Sequence, residues 1–201
     1  MVAESLRQLA PDRFELTLSD GERLRVTLGD VADFSLYTGR ELDAAELEAL
    51  RAAAALSRTK ERAMRVISAR AMSERELYDR LVEKGETEAN AAAAVAWLLD
   101  LHFLNDADYA AGLVRRCAAK GYGPRRARDE LYRHKVPREL WDEALAELPE
   151  QDDTVDRLLR SRLRSAEPDR AELKRATDAL VRRGFSWEEI KEAVERFRSG
   201  G

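Results

Sequence analysis

From Arg58 onward the apolar residues recur at helical spacing, and one arrangement of them returns three times. Gly85, Lys135 and Gly184 mark equivalent points, 50 and 49 residues apart. Eight residues before each stand Leu77, Ala127 and Ala176, and four before stand Leu81, Leu131 and Leu180. The residue just before is Lys84, His134 or Arg183. After each mark, Ala91, Trp141 and Ile190 are followed by Ala94, Ala144 and Ala193, then Val95, Leu145 and Val194, then Leu98, Leu148 and Phe197. Such offsets form one face of an amphipathic helix. A fixed period of about 50 residues signals an array of supersecondary units.

The period predicts helices near 58–71, 74–84, 88–101, 106–119, 124–134, 137–147, 152–165, 169–183 and 186–198. Start signals agree. Ser73 with Glu76 and Ser186 with Glu189 fit a capping box, and Asp169 with Glu172 is its aspartate variant. Asn105 or Asp106 suits the cap of the fourth helix. Pro124 and Pro137 suit a first helical position, where no N–H is needed. Gly85 and Gly184 suit left-handed helix ends, with Phe185 folding back onto the preceding turn. A left-handed Lys135 would cost roughly 1–2 kcal/mol, so the second repeat is expected to end its helix differently.

Ahead of the array, Phe14, Leu16 and Leu18, then Leu24 and Val26, alternate with polar residues around Ser19-Asp20-Gly21-Glu22. Asp-Gly in that setting predicts a β-hairpin with a type I′ turn. Short helices follow at Asp30–Leu36 and Asp43–Ala55. The expected fold is mainly α: three tandem three-helix repeats in an elongated array behind a small hairpin-plus-helix segment. The expected divisions are 1–57, 58–104, 105–149 and 150–201.

Of the 201 residues, 44% are hydrophobic, enough for a core, and 37% are charged. Cys117 stands alone and reads as a small packed side chain in a reducing compartment. There is neither a basic-then-apolar leader nor an apolar run near the roughly 20 residues that span a bilayer. A cytoplasmic monomer needing no membrane is expected. The net charge of −4 hides an asymmetry. Between Tyr109 and Arg138, nine Lys and Arg face only Asp129 and Glu130, leaving +7 there and −11 elsewhere.

No catalytic constellation is present. His102 and His134 lack partners at zinc-ligand spacing, so no metal or cofactor is expected. Gly121-Tyr122-Gly123-Pro124 reads as a hinge at a helix start, since no strand precedes it as a nucleotide loop would require. Arg115, Arg116, Lys120, Arg125, Arg126, Arg128, Arg133 and Lys135 form the candidate contact set, because clustered guanidiniums grip phosphate or carboxylate bidentately. Tyr122 and Tyr132 suit either stacking on bases or ordinary packing. Trp97, Trp141 and Trp187 read as core filling.

Four ordered motifs resemble a known family. Ser73-Glu74-Arg75-Glu76-Leu77 with Leu81-Val82-Glu83-Lys84-Gly85 is similar to the "RSxxEL…L..KG" signature of RecX proteins, bacterial regulators of the RecA recombinase. Leu101–Ala110 resembles their "LG.LDD..FA" segment, and Gly121–Pro124 with Glu130-Leu131 their "kG.G…I..EL" stretch. Arg182-Arg183-Gly184-Phe185-Ser186 is similar to "RRGFs". The resemblance covers about 58–198, and the hairpin is similar to a segment of some longer members. Departures are Glu86 for an apolar residue, Lys135 for glycine and Asn105 for aspartate. The resemblance implies three tandem three-helix repeats that bind the RecA–single-stranded DNA filament and modulate its growth, strand exchange and ATP hydrolysis, without enzymatic activity. Charge clustering alone nominates the basic set as the contact to acidic RecA surface or DNA. The alternative is a direct DNA-binding helical protein acting without RecA.

Overall fold

A computed structural model describes residues 1–163, 165 and 167–199. The chain packs as two compact units, Met1–Ala71 with Leu77–Leu104, and Met72–Glu76 with Asn105–Gly201.

In the first unit, three antiparallel strands, β1 (Ala3–Ala10), β2 (Arg13–Leu18) and β3 (Arg23–Thr27), lie in chain order. The β2–β3 hairpin is the one expected. Its turn is not type I′: Gly21 alone of the turn residues has positive φ, at +86°. Gly21 N–H donates to Leu18 O and Leu18 N–H to Glu22 O, each at 2.9 Å, so this is a three-residue connection with glycine in the left-handed position. The sequence reading missed β1. Register breaks between Ala3 and Ser5 and between Gln8 and Ala10 destroy the two-residue alternation that would have revealed it.

Helix α1 (Leu28–Asp33) starts two residues before the expected Asp30, because Thr27 and Asp30 form a capping box. The expected helices at 43–55 and 58–71 are one 26-residue helix, α2 (Ala44–Ala69). The joint at Leu56-Ser57 holds no glycine or proline to break it. Its first half packs Leu47, Leu50 and Ala54 against Leu16, Leu18 and Val26 of the sheet. Its second half runs on beside α4 (Glu88–Asp100), which follows α3 (Glu74–Glu83) in the chain. Leu77, Leu81, Ala91, Ala94 and Leu98 are fully buried, as the repeat pattern requires.

The second unit holds α5 (Asp106–Ala119), α6 (Pro124–Arg133), a 3₁₀ turn at Arg138–Leu140 leading into α7 (Trp141–Leu145), α8 (Gln151–Arg160), α9 (Arg170–Arg182) and α10 (Trp187–Arg198). Pro124 occupies the first turn as expected, and Asn105 is the cap of α5. Pro137 instead precedes the 3₁₀ turn as its cap, and α7 is shorter than 137–147. Helix α8 ends at Arg160; the expected stretch to 165 includes residue 164, which lies outside the described residues, as do 166, 200 and 201 of the expected third repeat. Trp97 and Trp141 are half-buried, but Trp187, at the first position of α10, is 59% exposed and fills no core.

Each repeat closes its second helix with the same backbone motif. Gly85, Lys135 and Gly184 have φ of +87°, +56° and +90°. The next residue's N–H reaches back to the leucine four before the mark: Glu86 to Leu81 O, Val136 to Leu131 O, Phe185 to Leu180 O. Gly85, Lys135 and Gly184 themselves donate to Val82, Tyr132 and Val181. This is the Schellman arrangement, which satisfies carbonyls a helix end leaves open. The expectation that Lys135 avoids the left-handed region is therefore wrong. Burying Val136 (4% exposed) is worth about 1.5–3 kcal/mol, which offsets the roughly 1–2 kcal/mol of strain. Phe185 is likewise buried (1%). In the first repeat the position is Glu86, and α2 accommodates it: Arg62 pairs with its carboxylate at 2.8 Å and the buried Thr59 hydroxyl lies 2.6 Å from it.

The third closing turn also docks onto the second repeat. Gly123 N–H donates to Arg183 O (2.8 Å) and Arg125 N–H to Gly184 O (3.1 Å). The Arg183 guanidinium returns to Lys120 O at 2.7 Å. A Cβ on Gly123 would sit 2.6 Å from Gly184 O, and one on Gly184 would sit 2.4 Å from Arg126 N. The glycine-rich turn is thus occupied by α9's end, and it serves packing. Gly123→Ala is expected to lose about 1–3 kcal/mol to overpacking. Gly85→Ala meets no atom within 4 Å and is expected to lose only the left-handed penalty, roughly 1–2 kcal/mol. Urea denaturation of both variants, together with backbone amide exchange at Gly123 and Arg125, checks this: only Gly123→Ala should lose protection at those two amides.

Candidate interaction surface of the second repeat

Helices α5 and α6 meet at Gly121–Gly123 because α5 ends in its own left-handed residue, Gly121 (φ +65°), and Pro124 starts the next helix at once. Their inner faces bury Ala110, Leu113, Val114, Cys117, Ala127 and Leu131. That leaves the basic residues outside. Cys117 is 4% exposed, and burial pushes its thiol up from the ordinary range, which suits a packed side chain rather than a nucleophile.

The eight candidate residues separate into different environments. Arg115 pairs with Glu147 at 2.7 Å. Arg126 pairs with Glu130 at 3.2 Å, and its guanidinium lies 5.7 Å from the Tyr122 ring. Arg133 converges on the same Glu130 carboxylate. Lys135 is exposed at the left-handed end of α6. Arg116, Lys120, Arg125 and Arg128 are exposed and form no ion pair among the described residues. Arg116 lies 6.0 Å from the Tyr109 ring. On α6, the 3–4 spacing places Arg125, Arg128 and Tyr132 on one outer face. Tyr132 is 69% exposed, whereas Tyr122 lies between Arg126 and Arg183. The sequence left both tyrosines open; Tyr132 is the one presented to solvent.

Beside this surface lies a polar cluster that sequence reasoning did not find. Ser73 Oγ donates to His134 O at 2.6 Å and accepts from Glu76 N–H at 3.1 Å. His134 Nδ1 lies 3.0 Å from Glu76 Oε2 and 3.1 Å from the Tyr109 hydroxyl. Asp106 Oδ1 accepts from Glu74 N–H at 2.9 Å, while its buried Oδ2 has no hydrogen-bond partner among the described residues. These residues are up to 61 positions apart, and only the Ser73–Glu76 capping box and the capping choice at Asp106 carried a local signal. Burial raises the Asp106 carboxyl above its usual range, and burial followed by the Asp106 charge raises Glu74. The folded state therefore holds protons to higher pH than the unfolded chain, and stability is expected to fall as pH rises through that raised carboxyl range. Asp106→Asn keeps an acceptor for Glu74 N–H and is expected to flatten this slope, as urea titrations at pH 5 and 7.5 would show.

Family models for the first, second and third three-helix domains of RecX match residues 60–98, 105–145 and 150–194. The chain belongs to the RecX family. It is 33% identical over 138 residues to the Regulatory protein RecX of Vibrio campbellii, covering 68% of this chain and 89% of the relative. It is 36% identical over 137 residues to the Regulatory protein RecX of Stenotrophomonas maltophilia, covering 67% and 83%. A crystal structure of a regulatory protein RecX shares the fold across 95% of this chain and 98% of that one, with a TM-score of 0.76 at 23% identity. RecX from Lactobacillus salivarius shares it with a TM-score of 0.64 at 20% identity, over 71% and 96%. The helices from residue 60 onward thus form three tandem RecX three-helix domains. The RecX models begin at residue 60, so β1 to β3 lie outside them. Among the described residues no helix is long and apolar enough to cross a membrane, and no group of His, Cys, Asp or Glu is placed to hold a metal.

Proposed function

We propose that this chain is a regulator that binds the RecA–single-stranded DNA filament and mainly inhibits RecA filament growth, ATP hydrolysis and strand exchange. Membership of the RecX family supports the regulatory role. The observation that carries the choice of contact surface is the group of uncommitted cations Arg116, Lys120, Arg125 and Arg128 around the α5–α6 turn. Exposed cations that form no ion pair among the described residues are free to pair with carboxylates of RecA or with filament phosphates. Arg115, Arg126, Arg133 and Lys135 complete the candidate set. Three of these, Arg115, Arg126 and Arg133, would first have to release Glu147 or Glu130.

Adding the protein to RecA, single-stranded DNA and ATP tests this reading. ATP hydrolysis and strand exchange are expected to fall at equimolar amounts, and no change would overturn it. Arg125→Glu with Arg128→Glu leaves the backbone bond at Arg125 and the buried faces intact. That double variant is expected to weaken inhibition at least several-fold with unchanged circular dichroism. A second reading, direct DNA binding without RecA, draws on exposed Tyr132 beside Arg125 and Arg128. A mobility shift on duplex DNA in the absence of RecA separates the two.

A further inference from the structure

The first unit contains a second basic surface that owes nothing to the Tyr109–Arg138 segment. A cleft of about 390 Å³ opens between the sheet and α2. Arg13 of β2, Arg25 of β3 and Arg58, Arg62 and Arg65 of α2 line it, against one carboxylate, Glu61. On α2 the spacing of Arg58, Glu61/Arg62 and Arg65 is that of one helix face, about 10 Å from end to end.

Two of the five arginines are committed. Arg13 pairs with Glu61 at 3.0 Å, and Arg62 is bound to Glu86 and to Lys84 O. Arg25, Arg58 and Arg65 are exposed and form no ion pair among the described residues. The cross-strand neighbour of Arg25 is Glu15, which is held by Arg7 at 2.9 Å. The cleft continues past Arg13 and Arg65 to Lys60 and the half-buried Trp97. Asp12, in that part, is tied to Leu28 N–H. Three unneutralised guanidiniums in a concavity repel one another and favour an anion between them.

We propose that this cleft is a phosphodiester-binding site that takes a stretch of single-stranded nucleic acid. Arg25, Arg58 and Arg65 grip its phosphates, and Phe14 and Trp97 supply apolar surface for its bases. The cleft is too small for a duplex. Its guanidiniums, with Phe14 and, further along, Trp97 under the Lys60 ammonium at 5.4 Å, are the contacts an unpaired strand takes. The site lies in the unit carrying the sheet and requires neither RecA nor the α5–α6 surface.

Fluorescence anisotropy of a labelled oligo(dT), titrated with the full chain over a range of salt and without RecA, tests the site. Arg25→Ala, Arg58→Ala and Arg65→Ala together are expected to weaken binding at least tenfold and to make the log–log salt dependence shallower by about 2, at roughly 0.7 per phosphate contact. A charge-matched set elsewhere, Arg23→Ala, Lys191→Ala and Arg198→Ala, is expected to change affinity less than threefold. Should the triple variant unfold, Arg58→Ala alone, on an exposed helix face, still reads out as a slope change of about 0.7. No binding by the unaltered chain, equal loss in both sets, or unchanged affinity in a folded variant each overturns the proposal. So does displacement of the oligonucleotide by polyglutamate as effectively as by unlabelled oligo(dT), which would make the ligand an acidic peptide. Failure here leaves inhibition of RecA through α5–α6 standing, and the reverse also holds.

Discussion

The left-handed residue that closes the second helix of each repeat is the constraint on which the array depends. A helix of ten to thirteen residues leaves its last carbonyls open, and each repeat is too small to hide them by bulk. One residue at positive φ turns the chain so that two N–H groups return to those carbonyls, and it carries the following side chain inward. The third helix, or in the second repeat the 3₁₀ turn leading into it, then starts three residues on. The side chain turned inward differs in every copy: a carboxylate held by Arg62 and Thr59, then Val136, then Phe185. The backbone device is retained while the chemistry behind it changes. In the third copy the device acquires a second role, since Gly184 O and Arg183 O become acceptors for the start of α6.

Lys135 shows which effect dominates at such a turn. A β-carbon in the left-handed region costs about as much as a buried valine returns, so glycine is preferred there without being required. At Gly184 the balance is different. A β-carbon would meet Arg126 backbone at 2.4 Å, and a neighbouring main chain cannot move aside as a flexible side chain can. Two positions equivalent in the repeat therefore differ in tolerance for a reason absent from the repeat itself: whether another helix end packs on the turn.

What was legible in the chain follows the same division between local and distant causes. Helices with a cap at one end and glycine at the other, such as α3 and α9, were readable because their causes lie within four residues. Strand β1 was not, because two register breaks remove its alternation. The join of two expected helices into α2 was hidden because its middle residues are chosen by contacts at both ends, the sheet on one side and α4 on the other. The basic character of α5 and α6 was legible as composition. Its partition was legible for Arg126 and Arg133, whose shared partner Glu130 lies four residues on and three residues back, and not for Arg115, whose partner is 32 residues away.

Counting charge along the chain also concealed the second basic surface. The residues outside Tyr109–Arg138 sum to an acidic total, yet three arginines in that acidic portion line one cleft and form no ion pair among the described residues. Net charge is a property of a segment, whereas a field in a cleft depends on which charges face it and which are already paired. Glu15, Glu61 and Glu86 lie close to the cleft arginines in the fold, and each is bound to a different arginine: Arg7, Arg13 and Arg62. Those pairings leave Arg25, Arg58 and Arg65 uncompensated. A surface of this kind arises from the order in which acids are used up, and that order is decided only once strands and helix are packed together.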